Sequence, residues 1–221
     1  MSARRGRFIT LEGGEGSGKS TQAKRLAEWL RGHGIDVVLT REPGGSPGAE
    51  MVRAALLGGA VKPYGPDVEA LLFAAARADH VDRTIEPALA RGQWVICDRF
   101  IDSTRVYQGA VGQVETPLLN ALERVAVGSV RPDLTLLLDI SPEAGLARAA
   151  ARAHGQAGDR FEAEGIAFHH AVRMAFLDLA RADPARCAVI DAAQKPDLVA
   201  VRILKEVRAR FPDALAATVS A

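Results

Sequence analysis

Residues 13–20 read GGEGSGKS and fit the pattern G-x-x-x-x-G-K-[ST], set between a β-rich run and a helical run. Such a segment suits the charge of a nucleotide polyphosphate. Successive backbone N–H groups on a tight glycine-rich turn converge on anionic oxygens, and the N-terminus of the following helix adds partial positive charge. The candidate ATP cradle is Gly13, Gly14, Glu15, Gly16, Ser17, Gly18, Lys19, Ser20 and Thr21. Within it, Lys19 is placed to bridge the β- and γ-phosphates and Ser20 to offer its hydroxyl to Mg²⁺. The chain has only five lysines, and one of them fills the position the pattern demands.

A second cluster lies at WVICDRFIDSTRVYQG. The apolar run ends in Asp98, followed by Arg99. At the carboxyl end of a parallel strand Asp98 faces the ligand crevice, where it can hold Mg²⁺ directly or through water. Arg99 offers a planar fork to a phosphate. A guanine-specific switch is disfavoured, because N-K-x-D is missing and the single asparagine, Asn120, lies in LLNALER.

The elements that must position these groups follow from periodicity. Short apolar or β-branched runs at 7–12, 35–40, 94–98, 134–139 and 187–190 predict five strands. Helical spacing covers 20–31, 49–57, 67–90 (interrupted at Pro87), 117–127, 142–153, 162–181 and 196–210. REPGGSPG, with its five Gly or Pro residues, is a loop. Strands alternate with helices, and the first, third, fourth and fifth strands are apolar on both faces. A three-layer α/β/α P-loop NTPase fold with a five-stranded parallel sheet is therefore expected. The 221 residues suit a single domain, with a small helical lid at about 147–162.

Bulk composition narrows the partners. Lys plus Arg is 28 against 27 for Asp plus Glu, so the net charge of +1 predicts neither a nucleic acid polymer nor a membrane as partner. The N-terminal stretch lacks the apolar core of a signal peptide, and no run of about 18 apolar residues occurs. Cys97 and Cys187 read as buried free thiols, which fits a reducing, cytoplasmic compartment.

TLEGGEGSGKST, TREPGG, LLFAAARADH, CDRFIDSTRVYQG, RPDLTLLLD and DRFE stand in an order and spacing that resemble the bacterial thymidylate kinases. The match runs from about residue 8 to 191. The resemblance implies phosphoryl transfer from ATP with Mg²⁺ to thymidylate (dTMP), and a homodimer. It implies that Phe73 stacks on the acceptor base and that Arg77, one turn further on, reaches a base carbonyl. On the residues alone Phe73 reads as helix core. Thr104 and Gln108, four apart, share a face if their segment is helical, and Gln108 suits the polar edge of a pyrimidine. Arg53 and Arg99 match the two arginines that hold the acceptor phosphate. Glu42 and Glu15 match acidic positions near the sugar or the Mg²⁺ site.

Members of this family place a catalytic arginine either in the phosphate loop or in the lid. Gly14, Glu15, Gly16 and Ser17 include no basic residue, so the lid is expected to supply it. Arg152 is the preferred candidate, ahead of Arg148 and Arg160, all three in or beside the lid. Two alternatives stay open: a kinase for another pyrimidine monophosphate, and a nucleotide-binding regulator without transfer.

Overall fold

The computed structural model describes residues 5–153 and 161–212, without the side chains of residues 152 and 153. Five parallel strands form one sheet: β1 (Phe8–Glu12), β2 (Val37–Arg41), β3 (Trp94–Asp98), β4 (Leu134–Asp139) and β5 (Cys187–Asp191), in the order β2-β3-β1-β4-β5. The central strand β1 is buried along its whole length. The chain goes from β1 to one side of the sheet and crosses to the other after β3, which opens a crevice at the carboxyl ends of the central strands. In register, Leu11 and Arg41 both lie opposite Asp98 on β3, so these strand ends share one rim.

Helices cover both faces, for a reason visible in the strand sequences. Side chains alternate between faces along a strand, and here both sets are apolar. Ile9, Leu11, Ile96, Leu134 and Leu136 pack under α1 (Lys19–Gly32) through Ala23, Leu26 and Leu30, together with Val199, Ile203 and Val207. Phe8, Val95 and Cys97 point the other way, onto Val81, Ile85, Leu89, Phe100 and Val127. Phe8, Ile9 and Leu11 are fully buried, each contributing about 1.5–3 kcal/mol from burial. Both cysteines are free and buried, as expected.

The remaining helices are α2 (Pro47–Leu57), α3 (Gly65–His80), α4 (Glu86–Ala90), α5 (Ile101–Thr104), α6 (Thr116–Val127), α7 (Pro142–Ala153), α8 (Ile166–Ala182) and α9 (Pro196–Arg210). The structure differs from the sequence reading in residues 101–111, which are helical, in α8, which starts at Ile166 and not 162, and in two further features. The long helix expected to break at Pro87 widens one turn earlier, over Val81–Ile85, where the Glu86 N–H bonds to the Val81 carbonyl. Pro87 has no N–H for the preceding turn and its ring crowds that turn, so the i→i+5 winding upstream absorbs the mismatch and Pro87 sits in the first turn of α4. The other difference is β5, which is apolar in sequence but forms a sheet edge and leaves Val189 half exposed. No helix among the described residues is long and apolar enough to cross a membrane.

Candidate active site

The phosphate loop joins β1 to α1 and is held open by close backbone contacts. Gly13 has φ 138° and Gly16 φ 65°, in the region that favours glycine. A Cβ on Gly16 would lie 1.8 Å from the carbonyl oxygen of Gly145 on α7. This second glycine contact explains why a variable position of the motif carries glycine in this chain. Lys19 Nζ donates to the carbonyls of Gly13 (3.0 Å) and Gly14 (2.8 Å). Burial first, and then the nearby Arg99 charge, lower the pKa of this ammonium. Ser20 lies in the first turn of α1 beside the loop, and both it and Thr21 are exposed.

The end of β3 meets this loop. The Ser20 hydroxyl donates to Asp98 Oδ2, so the two expected Mg²⁺ ligands, both hard oxygen donors, lie side by side. They fit a hard divalent ion that takes one or two protein oxygens at a nucleotide site. Arg99 adopts φ 69° and donates through Nη2 to Glu15 Oε1 at 2.5 Å. Its guanidinium also lies 5.2 Å from the Tyr107 ring centre, and the Tyr107 hydroxyl donates to the same Glu15 oxygen at 3.2 Å. Burial alone would raise the Glu15 carboxyl. Arg99, then Lys19 and Tyr107, outweigh it and hold the group at about 2.

Across the cavity, α3 and the segment after β3 build a second wall. Arg77 is buried and donates to Glu42 Oε2 (2.7 Å), Thr104 Oγ1 (3.0 Å) and the Phe100 carbonyl (3.2 Å). Glu42 Oε1 faces His80 Nδ1 at 3.0 Å, and His80 Nε2 lies 2.8 Å from the Thr40 hydroxyl. A carboxylate only accepts, so His80 Nδ1 carries the proton of its bond to Glu42. Glu42 lines the cavity while its two oxygens pair with Arg77 and His80. Arg53 donates to the Pro43 carbonyl at 2.5 Å, from the cavity wall. Residues 101–111 are helical, the second part (Arg105–Val111) in a widened winding, and Thr104 and Gln108 both face the cavity. Gln108 Nε2 donates to Glu69 at 3.4 Å.

One cavity of about 240 Å³ gathers these groups. Its lining includes Glu15, Gly16, Gly18, Lys19, Ser20 and Asp98 on the phosphate side. Glu42, Arg53, Phe73, Arg77, Thr104 and Gln108 line the opposite side, with Arg99 between.

The family model for thymidylate kinase matches residues 11–203. A thymidylate kinase of Bradyrhizobium sp. (strain BTAi1) is 57% identical over 96% of this chain and 94% of its own. One of Rhodopseudomonas palustris (strain TIE-1) is 58% identical over 94% and 90%. The crystal structure of thymidylate kinase from Ehrlichia chaffeensis superposes with a TM-score of 0.73 at 35% identity, over 92% of this chain and 99% of that one. The chain belongs to the thymidylate kinase family.

Membership in the thymidylate kinase family makes the chain a nucleoside monophosphate kinase, a phosphotransferase, and bears on residues that sequence reading passed over. Tyr107, Ser103, Arg41, Phe161 and Glu162 also line the cavity. Tyr107 had a readable signal: it lies three residues after Thr104 and one before Gln108, on the face those two define. Arg41 and Ser103 carried none, since their places depend on strand register and a turn. Of the lid candidates, Arg148 donates to the carbonyls of Ala192 (2.8 Å) and Ala193 (3.0 Å), just past the end of β5. Arg160 lies outside the described residues, as does the Arg152 side chain, although Arg152 itself stands in the last turn of α7.

Proposed function

We propose that the chain transfers the γ-phosphoryl group of ATP to thymidylate, giving dTDP. The observation that carries this reading is a single cavity with a phosphate cradle on one side and, opposite it, an aromatic ring with buried amide and guanidinium donors. ATP lies with its β- and γ-phosphates against the loop amides and Lys19. Mg²⁺, when bound at Ser20 and Asp98, neutralises phosphate charge. The acceptor base rests on Phe73, with Arg77, Thr104 and Gln108 at its edge. Arg53 and Arg99 hold the acceptor phosphate, and its oxygen attacks the γ-phosphorus in line. Such transfer needs positioning and charge neutralisation, not a covalent nucleophile. A lid arginine, Arg152 in this reading, adds charge as the site closes and excludes water.

The test is steady-state turnover with ATP and thymidylate against uridylate and cytidylate. Preferred turnover of thymidylate is expected. Preference for another monophosphate, or ATP hydrolysis without transfer, would refute the reading.

A homodimer and a cytoplasmic location belong to the same proposal. Met51 on α2, Leu71 on α3 and Val125 on α6 are exposed, the first 75% and the last 83%, and α2 and α6 both pack along α3. These exposed apolar side chains suit a contact with a second copy of the chain. Light scattering should give twice the mass of the chain, and Val125→Glu should shift it toward one.

A further inference from the structure

Glu12, the last residue of β1, is fully buried, yet nothing in the transfer reaction as described uses it. Its carboxylate accepts three hydrogen bonds from one short stretch. Oε1 takes the backbone N–H groups of Phe100 (2.7 Å) and Ser103 (3.3 Å), and Oε2 takes the Ser103 hydroxyl (2.6 Å). The Ser103 oxygen in turn accepts from Arg99 Nη1 at 3.3 Å, and the same Nη1 donates to the Gly13 carbonyl at 3.3 Å. One carboxylate thus ties the phosphate-loop strand to the turn that carries Arg99.

That turn needs an anchor. Arg99 is held at φ 69°, a left-handed conformation costing a non-glycine residue on the order of 1–2 kcal/mol. Phe100, the next residue, is also outside helical geometry before α5 begins. The Arg99 N–H bonds to the Leu11 carbonyl, one residue before Glu12. A carboxylate in the sheet floor, accepting the Phe100 N–H and sharing the Ser103 N–H with the Phe100 carbonyl, fixes the direction in which the guanidinium leaves the chain.

We propose that Glu12 is a positioning residue for phosphoryl transfer: through Phe100 and Ser103 it holds the Arg99 guanidinium between the two phosphate positions. This rests on the reading that Arg99 touches the transferred or accepting phosphate. Glu12 itself touches neither substrate.

The test is a double-mutant cycle on kcat with Glu12→Gln and Arg99→Lys. The glutamine keeps the volume but presents an N–H₂ where one oxygen accepted, so the Ser103 link must reverse. Expected is a loss in kcat of between about tenfold and about a hundredfold for Glu12→Gln. In the Arg99→Lys background the same change should cost less than about twofold, because the group it orients is gone. A residue that only supports the fold would cost the same factor in both backgrounds. Should Glu12→Gln fail to fold, Ser103→Ala takes its place in the cycle, with the same coupling expected. If Arg99→Lys is impaired but Glu12→Gln is within twofold of the parent, or equally harmful in both backgrounds, the role assigned to Glu12 is wrong. If Arg99→Lys leaves kcat unchanged, the reading of Arg99 falls, and the role of Glu12 with it.

Discussion

Arg99, which follows β3, and Glu15, in the phosphate loop, form a 2.5 Å ion pair between the two halves of the cavity, with side chains 18% and 11% exposed. The group that should hold phosphate is thus neutralised from within the loop that should hold ATP. An entering phosphate must compete with Glu15 for it.

The pair makes stability depend on pH. Glu15 is held at about 2 against a usual 4.5: burial works against this, and Arg99, then Lys19, overcome it. A carboxyl depressed in the folded state binds its proton more weakly there than in the unfolded chain. Its contribution is therefore complete above pH ~4.5 and is lost as pH falls toward ~2. The amount is on the order of 3 kcal/mol. Urea unfolding of the parent and Glu15→Gln should show a gap at pH 6 that closes toward pH 3. A constant gap would assign it to packing.

Lys19→Ala should lower kcat at least about a hundredfold, the loss typical of removing one donor to a transition-state oxygen. Near-parental turnover in a coupled assay would contradict the phosphate-loop assignment.

Glu42 lies beneath Arg77 with side chains 4% and 2% exposed, and also faces His80. Removing one partner of such a pair strands a buried charge, at a cost of about 3–5 kcal/mol. Glu42→Ala should lose stability on that scale in denaturant titration. The exposed pair Arg181–Asp178, 66% exposed on each side, should change it by under about 1 kcal/mol when cut.

The lid arginines should separate kinetically. Arg148 is engaged by the carbonyls after β5, so Arg148→Ala should alter kcat less than Arg152→Ala does. Arg152→Ala should lower kcat far more than the KM for thymidylate, as for a charge used only in the transition state. Equal kcat in Arg152→Ala and the parent would move that role to another residue.

The sequence alone determined the phosphate loop, the alternation of strands and helices and the parallel sheet, because each is written in residues close together along the chain. Loop chemistry needs eight consecutive positions, and periodicity needs about a dozen. It also placed Phe73 and Arg77 on one helix face through their spacing of four. Tertiary structure decided the rest. The partners of Arg77 and Glu42, of Tyr107 and Glu15, and of Glu12 and Ser103 stand 35, 92 and 91 residues apart. The apolar runs of β1 and β5 look alike in sequence, yet one is the buried centre and the other an edge. Strand order and the turns between elements set those distances, and no local pattern encodes either.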